Sequence, residues 1–320
     1  MTKLMKQACE RERRGAFVVA VLAAAMALSA APRSVQDTAA ADVSRRVGGS
    51  PEGIAFDGTY LWVPLRNRNA VARLKATDGS PQGTFAVGQR PVAVAVGARS
   101  VWIANMGSND LTRLGLDGKL QGTISVGRAP GSVIFDGTFI WVGNRDEDTV
   151  TQIRASDGVK LGSYVTGRRP IGLAYDGTDV WVANNRSGSV TRIGGGASVS
   201  THAVGVGTEV ADGPFGVAVA NGSVWVTSFF SGTVTRLRQA DGAVVATYKT
   251  GDGASGIVHD GRSLWVVNSG ERSVTQLDPD SGMVLAVYAV GRCPLGGAIG
   301  AGRFWVANSC SDSVSGVPVR

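Results

Sequence analysis

GLAYDGTDVWVANNRSGSVTRI, residues 172–193, sets a short apolar run before an Asp176-Gly177 turn. A second run, Val180-Trp181-Val182, follows, with Asn184 three residues past the tryptophan. Near copies occur seven times, around Trp62, Trp102, Trp141, Trp181, Trp225, Trp265 and Trp305, at spacings of 40, 39, 40, 44, 40 and 40. Eleven residues before each tryptophan stands Pro51, Pro91, Pro130, Pro170, Pro214, Ala254 or Pro294, so only the sixth copy departs. A fixed period near 40 with strand-like content is the signature of propeller blades.

Each unit reads as four antiparallel strands. The Asp-Gly pairs at Asp57, Asp136, Asp176 and Asp260 suit a tight hairpin between the first two. The tryptophan strand is apolar on both faces, as a strand is when blades stack face to face. A third run alternates (Val190, Thr191, Arg192, Ile193) and leads to a second Asp-Gly turn, as at Asp78, Asp157 and Asp241. The position two after the proline is always small: Gly53, Ala93, Ser132, Gly172, Gly216, Gly256 and Gly296. First strands crowd around a propeller axis, where side-chain room is least. The chain ends soon after the third strand of unit seven, and residues 43–47 occupy the place of the missing fourth. An all-β, seven-bladed β-propeller over residues 43–320, closed by an N-terminal strand that completes blade seven, is therefore expected; closure removes two open sheet edges.

Residues 1–14 carry five basic side chains, and residues 15–31 are almost wholly apolar. This reads as an export signal over residues 1–31, cleaved after Ser29, Ala31 or the Ala39-Ala40-Ala41 run, or else retained as an anchor. Residues 32–42 read as a linker. Loss of residues 1–31 lowers the formal charge from +7 to +4, too mild to argue for nucleic acid by itself. No later stretch has the ~18 consecutive apolar residues of a membrane span. An exported, monomeric protein in the periplasm or outside the cell is expected.

Trp181-Val182-Ala183-Asn184, Trp102-Ile103-Ala104-Asn105 and Trp305-Val306-Ala307-Asn308 resemble the Tyr-Val-Thr-Asn signature of YVTN-type propeller repeats. The Pro-x-Gly-Ile-Ala phrase followed by Asp-Gly also resembles the repeats of virginiamycin B lyase and of NHL propellers. The resemblance covers residues 43–320 and implies the fold. For the lyase it further implies a histidine–glutamate constellation with magnesium. Only His202 and His259 occur; they fall in an outer strand of blade four and at the bottom end of a first strand. No catalytic residue, metal or cofactor is carried over.

Binding is expected on the top face, where the fourth-to-first and second-to-third connections meet. Asn105, Asn144, Asn184, Asn268 and Asn308 recur there, either as a ring of amides for a ligand or as caps of the following turn. A site needs asymmetry, so irregular features count for more. Arg90, Arg128, Arg168, Arg169 and Arg292 precede first strands; Arg66, Arg145 and Arg186 follow second strands. They form a basic ligand-binding face or a solvated rim. Phe229 and Phe230 interrupt the asparagine series and offer an apolar contact. Residues 205–213 form a long connection suited to a lid, and Arg145-Asp146-Glu147-Asp148 is a local acidic cluster.

Cys293 begins the first strand of blade seven and Cys310 ends the second. Hairpin register sets them opposite each other, within disulfide reach, and export would oxidise them. The repeats, with no matched catalytic motif, thus lead to the expectation of a recognition protein, without catalysis, that binds a small molecule or protein on its top face. A streptogramin-lyase-like or lactonase-like enzyme, or a binder of nucleic acid or another polyanion, are the alternatives.

Overall fold

The computed structural model describes residues 38–194, 198–204 and 213–319. The expected export signal, residues 1–31, lies outside the described residues, as does nearly all of the 205–213 connection. The rest is seven blades of four antiparallel strands, in six of which the chain runs outward from first to fourth strand, while blade seven takes its outer strand from residues 43–46. Blade four is representative: Pro170–Tyr175, Val180–Asn184, Ser189–Ile193 and Val199–Ala203. Its second strand is buried throughout, while its fourth is largely exposed.

Ring closure is as expected. Strand β2, Val43–Arg46, pairs antiparallel with Ser313–Pro318, the third strand of blade seven, with Val43 opposite Gly316 and Arg46 opposite Ser313. The stretch read as linker holds one more element. Strand β1, Ala39–Ala40, lies parallel to Val284–Ala289 as a fifth strand on blade six. Ala41 N–H continues that ladder to the Ala289 carbonyl at 3.1 Å. Alanines suit this edge, since the attachment is made by backbone.

The core is a ring of seven clusters, each spanning two neighbouring blades. Trp181 packs with Val217, Val224, Val226 and Leu237 of blade five. Trp305 packs with Leu61, Val63 and Leu74 of blade one, so the last blade closes on the first in the same way. The small first-strand residues are explained by backbone approach. A Cβ on Gly172 would lie 2.2 Å from the Phe215 carbonyl oxygen, and one on Gly216 2.5 Å from that of Ser255.

The Asp-Gly turns do more than reverse the chain. Asp176 Oδ1 accepts the N–H groups of Thr178 and Asp179, and its Oδ2 accepts the Trp181 indole N–H at 2.7 Å. Asp57, Asp136 and Asp260 hold Trp62, Trp141 and Trp265 alike. Blade two uses the Gly97 carbonyl instead. Blades five and seven lack the aspartate, and the indole N–H groups of Trp225 and Trp305 have no partner.

Candidate functional site

The top face is built from one repeated loop. The residue before each first strand has a left-handed backbone, as in Ser50 (φ 54°), Arg90 (φ 51°), Ala129 (φ 50°) and Arg169 (φ 58°). Its N–H is held by a side chain from the preceding blade: Arg90 by Asn69, Ala129 by Asn109, Arg169 by Asp148 and Ser50 by Asp312. These bonds span blades and fix where each loop's side chain starts. One residue earlier, the guanidinium groups of Arg128, Arg168 and Arg292 fold back onto the carbonyls of Asp146, Arg186 and Cys310.

Five of the expected arginines line one depression of about 620 Å³ over blades one to four: Arg66, Arg90, Arg128, Arg145 and Arg169. Arg66 is paired with Glu52 at 2.6 Å, and Arg128 lies 3.6 Å from Glu147. Among the described residues, Arg90, Arg145 and Arg169 have no carboxylate at salt-bridge distance. Arg145 also lines the axial channel below, a space of about 210 Å³ walled by first-strand residues and reached by Glu52.

Arg145 is set inward by its neighbours. Its guanidinium lies across the first strand of its own blade, donating to the Gly131 carbonyl at 3.3 Å and to Met106 Sδ at 3.7 Å. Its Nε is buried without a partner. Gly131 makes this possible, because a Cβ there would stand 1.8 Å from Nε. Burial pushes the Arg145 guanidinium below its ordinary value; Glu52 and Asp146, the latter also lining the depression, oppose the fall, and Arg169 and Arg66 add to it. The charge remains, and it is under-compensated.

Arg186 and Arg292 do not join this group. Arg145 and Arg66 stand four residues after their tryptophans and Arg186 stands five, so Arg186 lies further out on its turn and is exposed. In blade four the inward place belongs to Asn185, which donates to the Pro214 carbonyl. Arg292 is exposed over blade seven. Phe229 is half-buried against Phe215 of the channel wall at 5.8 Å, and Phe230, 70% exposed, meets Phe229 edge-on.

Glu52 is the residue that sequence reasoning missed. It follows Pro51 where the other blades have Val92, Gly131, Ile171, Phe215, Ser255 and Leu295. An acid at an otherwise uncharged position was the available signal. The asparagines, by contrast, are fully buried and offer no amide ring. Asn184 Nδ2 donates to Ser189 Oγ and Thr191 Oγ1 of the third strand; Asn144, Asn268 and Asn308 bond likewise, and Asn105 donates to the Asp110 carboxylate and Thr112 Oγ1. They tie strands together rather than cap turns.

Neither histidine lies on the top face; His259 ends its first strand with Nε2 buried and without a partner. His202 takes the place of the fourth-strand aromatics and lies 5.9 Å from the Trp181 ring; Tyr248 does the same over Trp225. His259 fills the slot of Phe56, Phe135 and Tyr175. Among the described residues no three His, Cys, Asp or Glu side chains converge, and Glu52 is already held by Arg66. The magnesium constellation that the lyase resemblance implies therefore does not fit these residues. Cys293 and Cys310 are joined in a disulfide, with Cα atoms 5.3 Å apart.

No family model and no curated protein sequence matches the chain. Solved structures do. Hydrazine synthase of Kuenenia stuttgartiensis is 18% identical, with a TM-score of 0.75 over 88% of this chain and 98% of that one. A streptogramin B lyase is 18% identical, with a TM-score of 0.73 over 85% and 96%. Virginiamycin B lyase from Staphylococcus aureus is 17% identical, with a TM-score of 0.74 over 87% and 98%. At such identities the likeness speaks for the fold alone. In architecture the chain is a seven-bladed β-propeller like virginiamycin B lyase, as its repeats imply.

Proposed function

We propose that the protein is an exported recognition propeller that binds a small organic anion on its top face. The observation that carries this reading is the convergence of Arg90, Arg145 and Arg169, none of them paired with a carboxylate, in one depression with Arg66 and Arg128. A guanidinium and an anion 4 Å apart attract by ~4 kcal/mol at the effective dielectric of a protein surface. Arg145 is the central group, because it bridges the depression and the channel. The Cys293–Cys310 disulfide supports export, since such bonds persist in oxidising compartments.

The test is calorimetric titration with succinate and with inorganic phosphate at low salt, on the wild type and Arg145→Gln. Saturable binding is expected, weakened about tenfold or more in the variant, as for loss of a charge-assisted hydrogen bond. Absence of binding by both anions, or equal binding by Arg145→Gln, overturns the reading. Long duplex DNA is the control: DNA binding that falls steeply with salt, without succinate or phosphate binding, would favour a polyanion instead.

A further inference from the structure

The bottom face holds a second site, distinct from the arginine depression and independent of any reading of it. A cavity of about 450 Å³ opens there between blades three and four. The repeat explains its position. In four blades the third-strand residue opposite the tryptophan is an arginine. Its guanidinium lies over the indole: Arg73 over Trp62 at 5.6 Å, Arg113 over Trp102 at 4.7 Å, Arg192 over Trp181 at 5.2 Å and Arg236 over Trp225 at 5.4 Å. The same groups reach a backbone carbonyl of the next blade, as Arg73 reaches Leu116 and Arg236 reaches Asp280.

Blade three breaks this rule. Gln152 stands opposite Trp141 and accepts the Tyr164 hydroxyl at 3.0 Å, so no cation covers the indole. Blade six also has a glutamine, Gln276, but there Phe304 of blade seven fills the space, 5.5 Å from the Trp265 ring. The residue of blade four in the place of Phe304 is Val180, which is too small to do so. Blade seven sets Gly316 opposite Trp305, yet that indole is fully buried; only in blade three does the lost arginine, with no aromatic in its stead, leave an indole uncovered. Trp141 is 6% exposed, whereas the other six tryptophans are at 0%.

What surrounds the opening has the chemistry of a cation site. Trp141 and Tyr164 form two walls, their centroids 5.5 Å apart and their planes at 38°. Phe139 and Tyr175 also line the space, and so does Asp136. The Asp136 carboxylate accepts only neutral donors: the Thr138 and Phe139 N–H groups and the Trp141 indole. Among the described residues no basic side chain pairs with it. Aromatic faces converging beside an unpaired carboxylate attract a desolvated organic cation. We propose that this cavity binds a small organic cation, a quaternary ammonium, alkylammonium or guanidinium group, standing where four other blades place their own arginine.

The full exported chain is titrated with tetramethylammonium and with methylguanidinium, following the tryptophan indole N–H resonances by NMR. The neutral control is tert-butyl alcohol, of similar shape. Gln152→Arg supplies the guanidinium that the other blades carry, and Val180→Phe plugs the cavity as Phe304 does in blade seven. Saturable shifts of one indole resonance are expected, with the neutral control and both variants each weaker by about tenfold, the size of a desolvated cation–π contact. Gln152→Arg is expected to keep or raise the thermal midpoint. Undiminished binding by a folded variant, equal binding of the alcohol, or the absence of any saturable shift overturns the proposal. If one variant fails to fold, the other still decides.

Discussion

Replacing Asp176 by alanine removes three hydrogen bonds at once. The Trp181 indole N–H loses its acceptor inside a fully buried residue, and an unsatisfied buried donor costs ~1–3 kcal/mol. The Thr178 and Asp179 N–H groups lose the carboxylate that closes the turn, a loss of about 1 kcal/mol by analogy with a helix cap. The expected destabilisation is about 2–4 kcal/mol, or roughly 4–8 °C at about 2 °C per kcal/mol for a domain of this size. The assay is equilibrium urea unfolding followed by tryptophan fluorescence. Asp117→Ala is the reference, because that carboxylate closes an exposed turn through Lys119 N–H and holds no indole. Its loss is expected to cost clearly less. The reasoning fails if Asp176→Ala is no worse than Asp117→Ala. A pH series adds a second check. Burial pushes the Asp176 carboxyl up, but the hydrogen bonds from Asp179, Trp181 and Thr178 outweigh it and hold it below its ordinary value. A group lowered on folding contributes fully above its unfolded value, near 3.9, and that contribution is lost as pH falls through the lower folded value. Stability of the wild type is therefore expected to fall more steeply than that of Asp176→Ala below about pH 4.

Two further outcomes are open to measurement. Replacing Cys293 and Cys310 by serine opens a loop with a sequence separation of 17; chain entropy then predicts a loss of about 3 kcal/mol, read by urea unfolding with and without reductant. Gly172→Ala drives a Cβ against the Phe215 carbonyl, whereas Gly122 has nothing within 4 Å of such an atom. Thermal unfolding is expected to show a cost of about 1–3 kcal/mol or more for the first and within about 0.5 kcal/mol for the second.

Architecture was legible because it is repeated. The tryptophan period, the small residue after each proline and the strand at Val43–Arg46 are each fixed by neighbours at the same offset in every blade. The cysteine pair followed from hairpin register together with the expected export. Less was legible where a repeated residue has a long-range partner. The Asp-Gly pairs read as turn chemistry, yet the aspartate also holds the tryptophan five residues on. The asparagines read as surface amides or caps, yet their partners are third-strand side chains five and seven residues away, hydroxyls except for Asp110. For the site, sequence placed eight arginines near the top face but did not sort them. Whether a guanidinium turns toward the axis depends on one step along a turn, as Arg145 against Arg186 shows, and on the absence of a side chain at Gly131. The bottom cavity was invisible because it arises from one exchange, Gln152 where four blades have arginine, whose effect depends on the size of Val180 in the next blade.

The left-handed residue ahead of each first strand has a consequence for how such a surface changes over generations. That position holds Ser50, Arg90, Ala129, Arg169, Gly213, Gly253 and Cys293, with φ between 50° and 72° throughout. The backbone is thus indifferent to what it displays there: a hydroxyl, a cation, a methyl group, a bare hydrogen and half of a disulfide share one conformation. At Ser50, Arg90, Ala129 and Arg169 the geometry is held by a side chain of the preceding blade, so the displayed group is not what sets the turn. The ring behaves as a seven-place register in which one backbone frame carries different characters, one of them, Cys293, tied to Cys310.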